Sequence, residues 1–322
     1  MRKLALLFSI LLSAQTAYTA IYDWEAPVQA DHHVALRCYL PDSLKEVRAI
    51  IILSPGLNAD GRNMANDPEW QSFALRNGCA LVAYSMTGGD HGIYYEAEHW
   101  SGSLLLLGMV ELAGKSSHPE LNSVPFGLWG HSAGGQFNYN FACYQPERTF
   151  AFVTNKGGYY AAPATPPIRR IPSLWIAGAK DTDLRVKNIT SLYAENRRKG
   201  APWGLIIEPG IDHAVGRSRE IGMAFLEDAL ALSFDSTGKF KGIDTGTGWL
   251  ADFQTKEISR NTTTDFGPGA MTWLPGEATA NIWKSIMLGL PSSVQNLRMP
   301  SCVSVIAGQE NFPKNRNLTS IP

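Results

Sequence analysis

The chain has 322 residues, 44% of them hydrophobic and 18% charged. That is enough apolar material for a large core, and the length allows one big domain or two. A formal net charge of −1, with no long basic run, leaves nothing to hold nucleic acid.

The N-terminus carries Arg2 and Lys3, a short apolar run over residues 4–14, and small residues at Ala14, Ala17, Thr19 and Ala20. This is the pattern of a secretory signal peptide. The apolar run is shorter than the roughly 20 residues that span a bilayer. Residues 1–20 are therefore expected to be a removed leader, and the mature protein to be secreted or periplasmic, without membrane contact after cleavage.

Residues 21–42 read as an antiparallel hairpin, with alternation through Val34-Ala35-Leu36-Arg37-Cys38. From residue 48 short apolar runs alternate with longer helical stretches, which predicts a mostly parallel sheet with crossover helices. The predicted strands are residues 48–54, 79–85, 124–129, 150–154, 172–177 and 203–207. The predicted helices are residues 68–77, 101–115, 133–144, 184–199 and 217–232. Asp67 and Pro68 supply a start signal for the first helix, and Gly78 a stop. Residues 234–322 are richer in Gly, Thr, Ser and Pro, with one helical stretch at 277–288. They are expected to be an appendage packed on the core, or partly disordered, beside a main domain at 21–233. Cys38, Cys79, Cys143 and Cys302 fit no zinc pattern. In an oxidising compartment they allow two disulfides in three connectivities; the other reading is buried thiols.

Residues Gly130-His131-Ser132-Ala133-Gly134 match G-x-S-x-G, between an apolar strand and a helix. A serine hydroxyl is a poor nucleophile until a neighbouring base takes its proton. The glycines permit a tight strand-to-helix turn that projects Ser132. His213 is the single histidine downstream, in Pro209-Gly210-Ile211-Asp212-His213 after the strand at 203–207. The acid that orients it must lie between them. Asp181 leads, at the end of a strand in Gly178-Ala179-Lys180-Asp181-Thr182-Asp183, where open α/β sheets place their sites. Asp183 is the alternative, or else a helix cap. Backbone N–H groups of Ala133 and Leu57 are the expected oxyanion donors. Residues 86–100 mix histidine, aspartate and glutamate without a known metal-ligand pair, so no metal is expected. Tyr94, Tyr95 and Trp100 of that loop, and Tyr159, are candidates for the wall of a substrate cleft.

Residues 48–232 resemble the α/β-hydrolase superfamily, on the strength of Gly130-His131-Ser132-Ala133-Gly134-Gly135, Gly178-Ala179-Lys180-Asp181 and Gly210-Ile211-Asp212-His213 in that order. The short link between residues 154 and 172 looks like the compact layout, with a minimal cap, of polyhydroxybutyrate depolymerases, feruloyl esterases and dienelactone hydrolases. The last of these use cysteine where this chain has Ser132. The early loop reads Ser54-Pro55-Gly56, where relatives often carry His-Gly. The resemblance implies a mostly parallel sheet with helices on both faces and a cofactor-free serine esterase working through an acyl-enzyme. Its substrate would be a small ester or an acyl group on a polysaccharide or polyester. A peptidase or amidase on the same scaffold, and a non-catalytic binding protein, are the competing readings.

Overall fold

The structure is a computed structural model that describes residues 19–27, 32–88, 93–244 and 246–292. Residues 1–18 of the expected leader, Asp90, His91 and Cys302 lie outside the described residues. The chain divides into a unit Met1–Leu290 and a short unit Pro291–Pro322, of which only residues 291 and 292 are described.

One eight-stranded sheet organises the first unit. Its strands are β1 (Thr19–Glu25), β2 (His32–Pro41), β3 (Ala49–Ser54), β4 (Cys79–Gly88), β5 (Phe126–His131), β6 (Thr149–Asn155), β7 (Ser173–Gly178) and β8 (Trp203–Glu208), in the spatial order β1-β2-β4-β3-β5-β6-β7-β8. The hairpin β1–β2 and the β2–β4 pair are antiparallel, and β4 through β8 run parallel. β1 starts at Thr19, inside the expected leader. Its first two pairings are Thr19↔Pro41 and Ala20↔Leu40.

Both faces of the sheet are covered, which explains why the central strands read as unbroken apolar runs. Along β3, Ile50 and Ile52 enter one layer while Ala49, Ile51 and Leu53 enter the other. The first layer is closed by α2 (Ser101–Ser116), α3 (Ala133–Tyr144) and α4 (Asp183–Arg198), through residues such as Leu105, Phe137 and Ile189. The second is closed by α1 (Pro68–Asn77) and α5 (Ser218–Ser233), through Trp70, Phe73, Ile221 and Phe225. α1 begins where Asp67 accepts from Glu69 N–H and Trp70 N–H, and ends at Gly78 with φ of 66°. No helix among the described residues is long and apolar enough to cross a membrane. Cys38, Cys79 and Cys143 are free thiols, each pushed up to about 12 by burial.

Residues 246–290 of the C-terminal segment are woven onto the main domain. A three-stranded antiparallel sheet of β9 (Trp249–Ala251), β10 (Ile258–Arg260) and β11 (Thr272–Leu274) leads into α6 (Glu277–Met287), which packs in the same layer as α5. The small sheet has no sequence signature, because three-residue strands are too short to show alternation. Strand β8 is the edge of the large sheet, and this segment meets its free polar groups. Trp283 Nε1 donates to Leu205 O at 2.7 Å, and Leu205 N–H points to Thr272 Oγ1 at 3.4 Å. The buried Arg197 guanidinium donates to Met271 O at 2.9 Å and Ala201 O at 3.1 Å, tying α4 to the segment.

Candidate active site

Parallel strands deliver their carboxyl ends to one side of the sheet, and the predicted site residues follow those ends. Leu57 follows β3, Ser132 follows β5, Asp181 follows β7 and His213 follows β8. Ser132 Oγ lies 2.9 Å from His213 Nε2, and His213 Nδ1 lies 2.9 Å from Asp181 Oδ2. These residues are 81 and 32 positions apart in the chain, so only the sheet brings them together.

Ser132 sits between β5 and α3 with φ of 55° and ψ of −122°, outside the comfortable regions for a side-chain-bearing residue. The turn is possible because its flanks are glycine. A Cβ on Gly130 would strike the Gly134 carbonyl, and one on Gly134 would strike the carbonyls of Ser54 and Pro55. That second approach brings the loop after β3 against the start of α3. Ser54 Oγ donates to Asn138 Oδ1 at 2.7 Å, and Asn138 Nδ2 donates to Val153 O at 2.9 Å, so α3 is fastened to β3 and β6. As the first residue of α3, Ala133 has an N–H with no partner within the helix, and it stands at the positive end of the helix dipole.

The Asp181 side chain is 3% exposed. Burial works to raise its carboxyl, but hydrogen bonds from His213, Thr182 N–H and Arg185 outweigh that and hold it below the usual aspartate range. Thr182 N–H and Arg185 Nη1 both donate to Oδ1, at 2.8 and 2.7 Å, leaving Oδ2 for the imidazole. With Asp181 ionised, His213 Nδ1 carries the hydrogen and donates it. Nε2 is then left to accept from Ser132 Oγ–H. Asp183 is the first residue of α4, is exposed, and is not a member of this chain of bonds.

His131 lies beside His213, with ring centroids 5.0 Å apart. Burial, the His213 ring and the Lys156 ammonium pull it down to about 4, and Asn155 Nδ2 donates to its Nδ1 at 3.0 Å. His131 is thus a neutral neighbour of the base. As pH falls from about 6.5, the unfolded chain takes up a proton here that the folded chain refuses until about 4. Folding stability should therefore decline across that window, and His131→Gln should flatten part of the decline. Urea unfolding at pH 7 and pH 5 on both proteins measures this; equal slopes would remove the assignment.

The predicted cleft residues separate. Tyr95 is half-buried and meets the 52%-exposed Tyr159 edge to face, with centroids 6.2 Å apart. Tyr159 is presented by a pinned loop, in which Gly158 N–H donates to Gln136 Oε1 and Asn188 Nδ2 donates to Gly158 O, each at 2.9 Å. Tyr94, by contrast, is buried between Tyr84 and Phe137 and does not line a cleft. Its hydroxyl donates to Gly56 O at 3.1 Å, so it supports the loop carrying Leu57 from beneath. Trp100 is half-buried, its ring 4.2 Å from that of His32, which pairs with Gly88 at the end of β4. A loop aromatic carries no periodicity to say which way it turns, so the inward turn of Tyr94 leaves no mark in the sequence.

Three residues at the site had no part in the sequence reading: Arg185, Asn155 and Lys156. Arg185 had a signal, being four residues past Asp181 at a predicted helix start, where side chains share a face. The other two had none, and the partner of Lys156, Glu208, lies 52 residues away. Among the described residues no group of three or more His, Cys, Asp or Glu is placed to hold a metal ion.

No family model matches the chain, and no curated protein matches it. Among solved structures it is similar to an S-formylglutathione hydrolase from Agrobacterium tumefaciens, at 16% identity over 66% of this chain and 95% of that one, with a TM-score of 0.50. It is also similar to a ferulic acid esterase, at 12% identity over 67% of this chain and 98% of that one, again with a TM-score of 0.50. At these identities the likeness is one of fold. Together with the strand order it defines the class: the protein has the α/β-hydrolase fold.

Proposed function

We propose that the protein is a serine hydrolase of carboxylic esters, working through an acyl-enzyme on Ser132. The observation that carries this reading is the unbroken hydrogen-bond chain from Ser132 Oγ through His213 to Asp181, both links 2.9 Å, assembled from three loops at one end of the sheet. The two similar structures are hydrolases by name, one of them an esterase, which fits the same chemistry.

In this mechanism His213 Nε2 takes the Ser132 proton as Oγ attacks the ester carbonyl. The oxyanion is met by Ala133 N–H and Leu57 N–H. His213 then gives the proton to the leaving alkoxide, and the acyl group stays on Ser132. Water enters, His213 deprotonates it, the tetrahedral intermediate collapses, and the proton returns to Ser132 Oγ. Asp181 remains ionised throughout and stabilises the imidazolium. Tyr95 and Tyr159 form an apolar wall for a small ester or for an acyl group carried on a polysaccharide or polyester. Leu57 acts through its backbone, so Leu57→Ala should leave kcat nearly unchanged. Leu57→Pro deletes the N–H and should lower kcat by about 10²- to 10³-fold. Equal rates for the two variants would move the oxyanion donor elsewhere.

The first test is hydrolysis of p-nitrophenyl esters, acetate through octanoate, and of a hydroxycinnamate ester, alongside labelling by a fluorophosphonate probe. Hydrolysis with a single adduct on Ser132 is expected. A folded protein that neither hydrolyses nor labels would be a binding protein on this scaffold. Export is part of the reading, on the leader in residues 1–20. Protein recovered from the periplasm or medium of a bacterial host should begin at Ile21, and an uncleaved cytoplasmic product would overturn export.

A further inference from the structure

The loop that carries His213 is clamped on both sides. Upstream, Lys180 N–H donates to Ile211 O at 2.8 Å, and Gly178 runs so close to Asp212 that a Cβ would strike its carbonyl. Downstream, Asn155 Nδ2 donates to Val215 O at 3.2 Å, and Glu208 Oε1 accepts from Arg217 N–H at 2.6 Å. His213 lies midway between Ile211 and Val215.

The downstream clamp rests on a sealed ion pair that the hydrolytic steps do not use. Lys156 Nζ lies 2.9 Å from Glu208 Oε2, with side chains 0% and 5% exposed, and it donates to Asn155 Oδ1 at 3.0 Å. Lys156 holds the left-handed φ of 54°, rare for a residue other than glycine, with its N–H donated to Ile176 O at 2.7 Å. Gly216, at φ of 59°, is pressed against the Glu208 carboxylate, where a Cβ would overlap both oxygens. Asn155 also touches the elbow: its carbonyl accepts Ser132 N–H at 2.8 Å, and its Nδ2 faces His131 Nδ1 and Ser218 Oγ.

Burying an ion pair costs desolvation, and an apolar pair of equal volume is often as stable. What this pair supplies is direction. An ammonium accepts no hydrogen bond, so it fixes the oxygen end of the Asn155 amide. The NH₂ end must then face Val215, His131 and Ser218. A flipped amide would set its oxygen against the Val215 carbonyl. We propose that the buried Lys156–Glu208 pair, acting through Asn155, is the positioning device that sets the His213 loop against the Ser132 elbow. This rests on the esterase reading above.

The test is Lys156→Met/Glu208→Gln, which removes both charges together and keeps an oxygen for Arg217 N–H. Its kcat on p-nitrophenyl acetate should fall about 10- to 100-fold, the cost of a displaced catalytic group. KM and the thermal midpoint should stay near the parent's, and fluorophosphonate labelling of Ser132 should slow in step with kcat. A lowered midpoint with parental kcat would make the pair merely structural and overturn the proposal. If the double variant does not fold, Asn155→Leu leaves the ion pair in place and removes the amide; parental kcat there overturns it equally. A parent that neither hydrolyses nor labels sinks the esterase reading. An active parent matched by its variants sinks the positioning role alone.

Discussion

Ser132→Ala should lower kcat for p-nitrophenyl acetate by about 10⁴- to 10⁶-fold while leaving the thermal midpoint close to the parent's. The mutation deletes the atom that attacks and the 2.9 Å bond to His213 Nε2, but little buried surface, because Ser132 stands at the mouth of the elbow. Alanine at a φ of 55° carries the same backbone strain as serine, so no relief of strain should confuse the comparison. Asp181→Asn should fall nearly as far, by about 10⁴-fold, for a different reason. Thr182 N–H and Arg185 keep the oxygen of the new amide at the Oδ1 position, which turns its NH₂ toward His213 Nδ1. Nδ1 must then accept, the hydrogen moves to Nε2, and the ring can no longer take the Ser132 proton. Steady-state kinetics on the three proteins measure both effects. A Ser132→Ala variant with parental kcat would end the acyl-enzyme mechanism. An Asp181→Asn variant within a few-fold of parent would show that His213 is oriented by something else.

Trp283→Ala should cost about 3–5 kcal/mol of folding stability, a large part of the 5–15 kcal/mol that a typical domain has. The indole is fully buried in α6, meets the Phe253 ring at 5.6 Å, and caps Leu205 O on the outer edge of β8. Its loss leaves a cavity and an edge carbonyl without its donor, and a bare edge strand is open to pairing with other chains. The segment also reaches toward the site: Arg217, whose N–H meets Glu208, sends its guanidinium to Ser285 Oγ at 3.1 Å and Leu290 O at 2.7 Å. Urea unfolding should show a lower midpoint with a single transition. A change below about 1 kcal/mol, within the range of an ordinary surface substitution, would mean the segment is peripheral to the fold.

How much of this was readable in the chain depends on the distance over which each signal acts. Helix α1, with Asp67, Pro68 and Gly78 at its ends, and α3, opening after Ser132, coincide with their predicted limits, because caps and glycine turns are properties of a few adjacent residues. Apolar runs marked the strands from β3 to β8, since a strand buried on both faces needs no alternation. The order of serine, aspartate and histidine along the chain was equally local, each motif lying just past a strand. The direction of a loop side chain was not readable, so Tyr94 was expected in a wall and lies beneath the Leu57 loop. Strands β9 to β11 were unreadable because three residues hold no period. The links between Lys156 and Glu208, between Asn155 and Val215, and between Trp283 and Leu205 cross 52, 60 and 78 residues. Local sequence determined where each functional group sits on its own strand end. Only the lateral order of the strands, which sets which ends lie side by side, decided which groups meet.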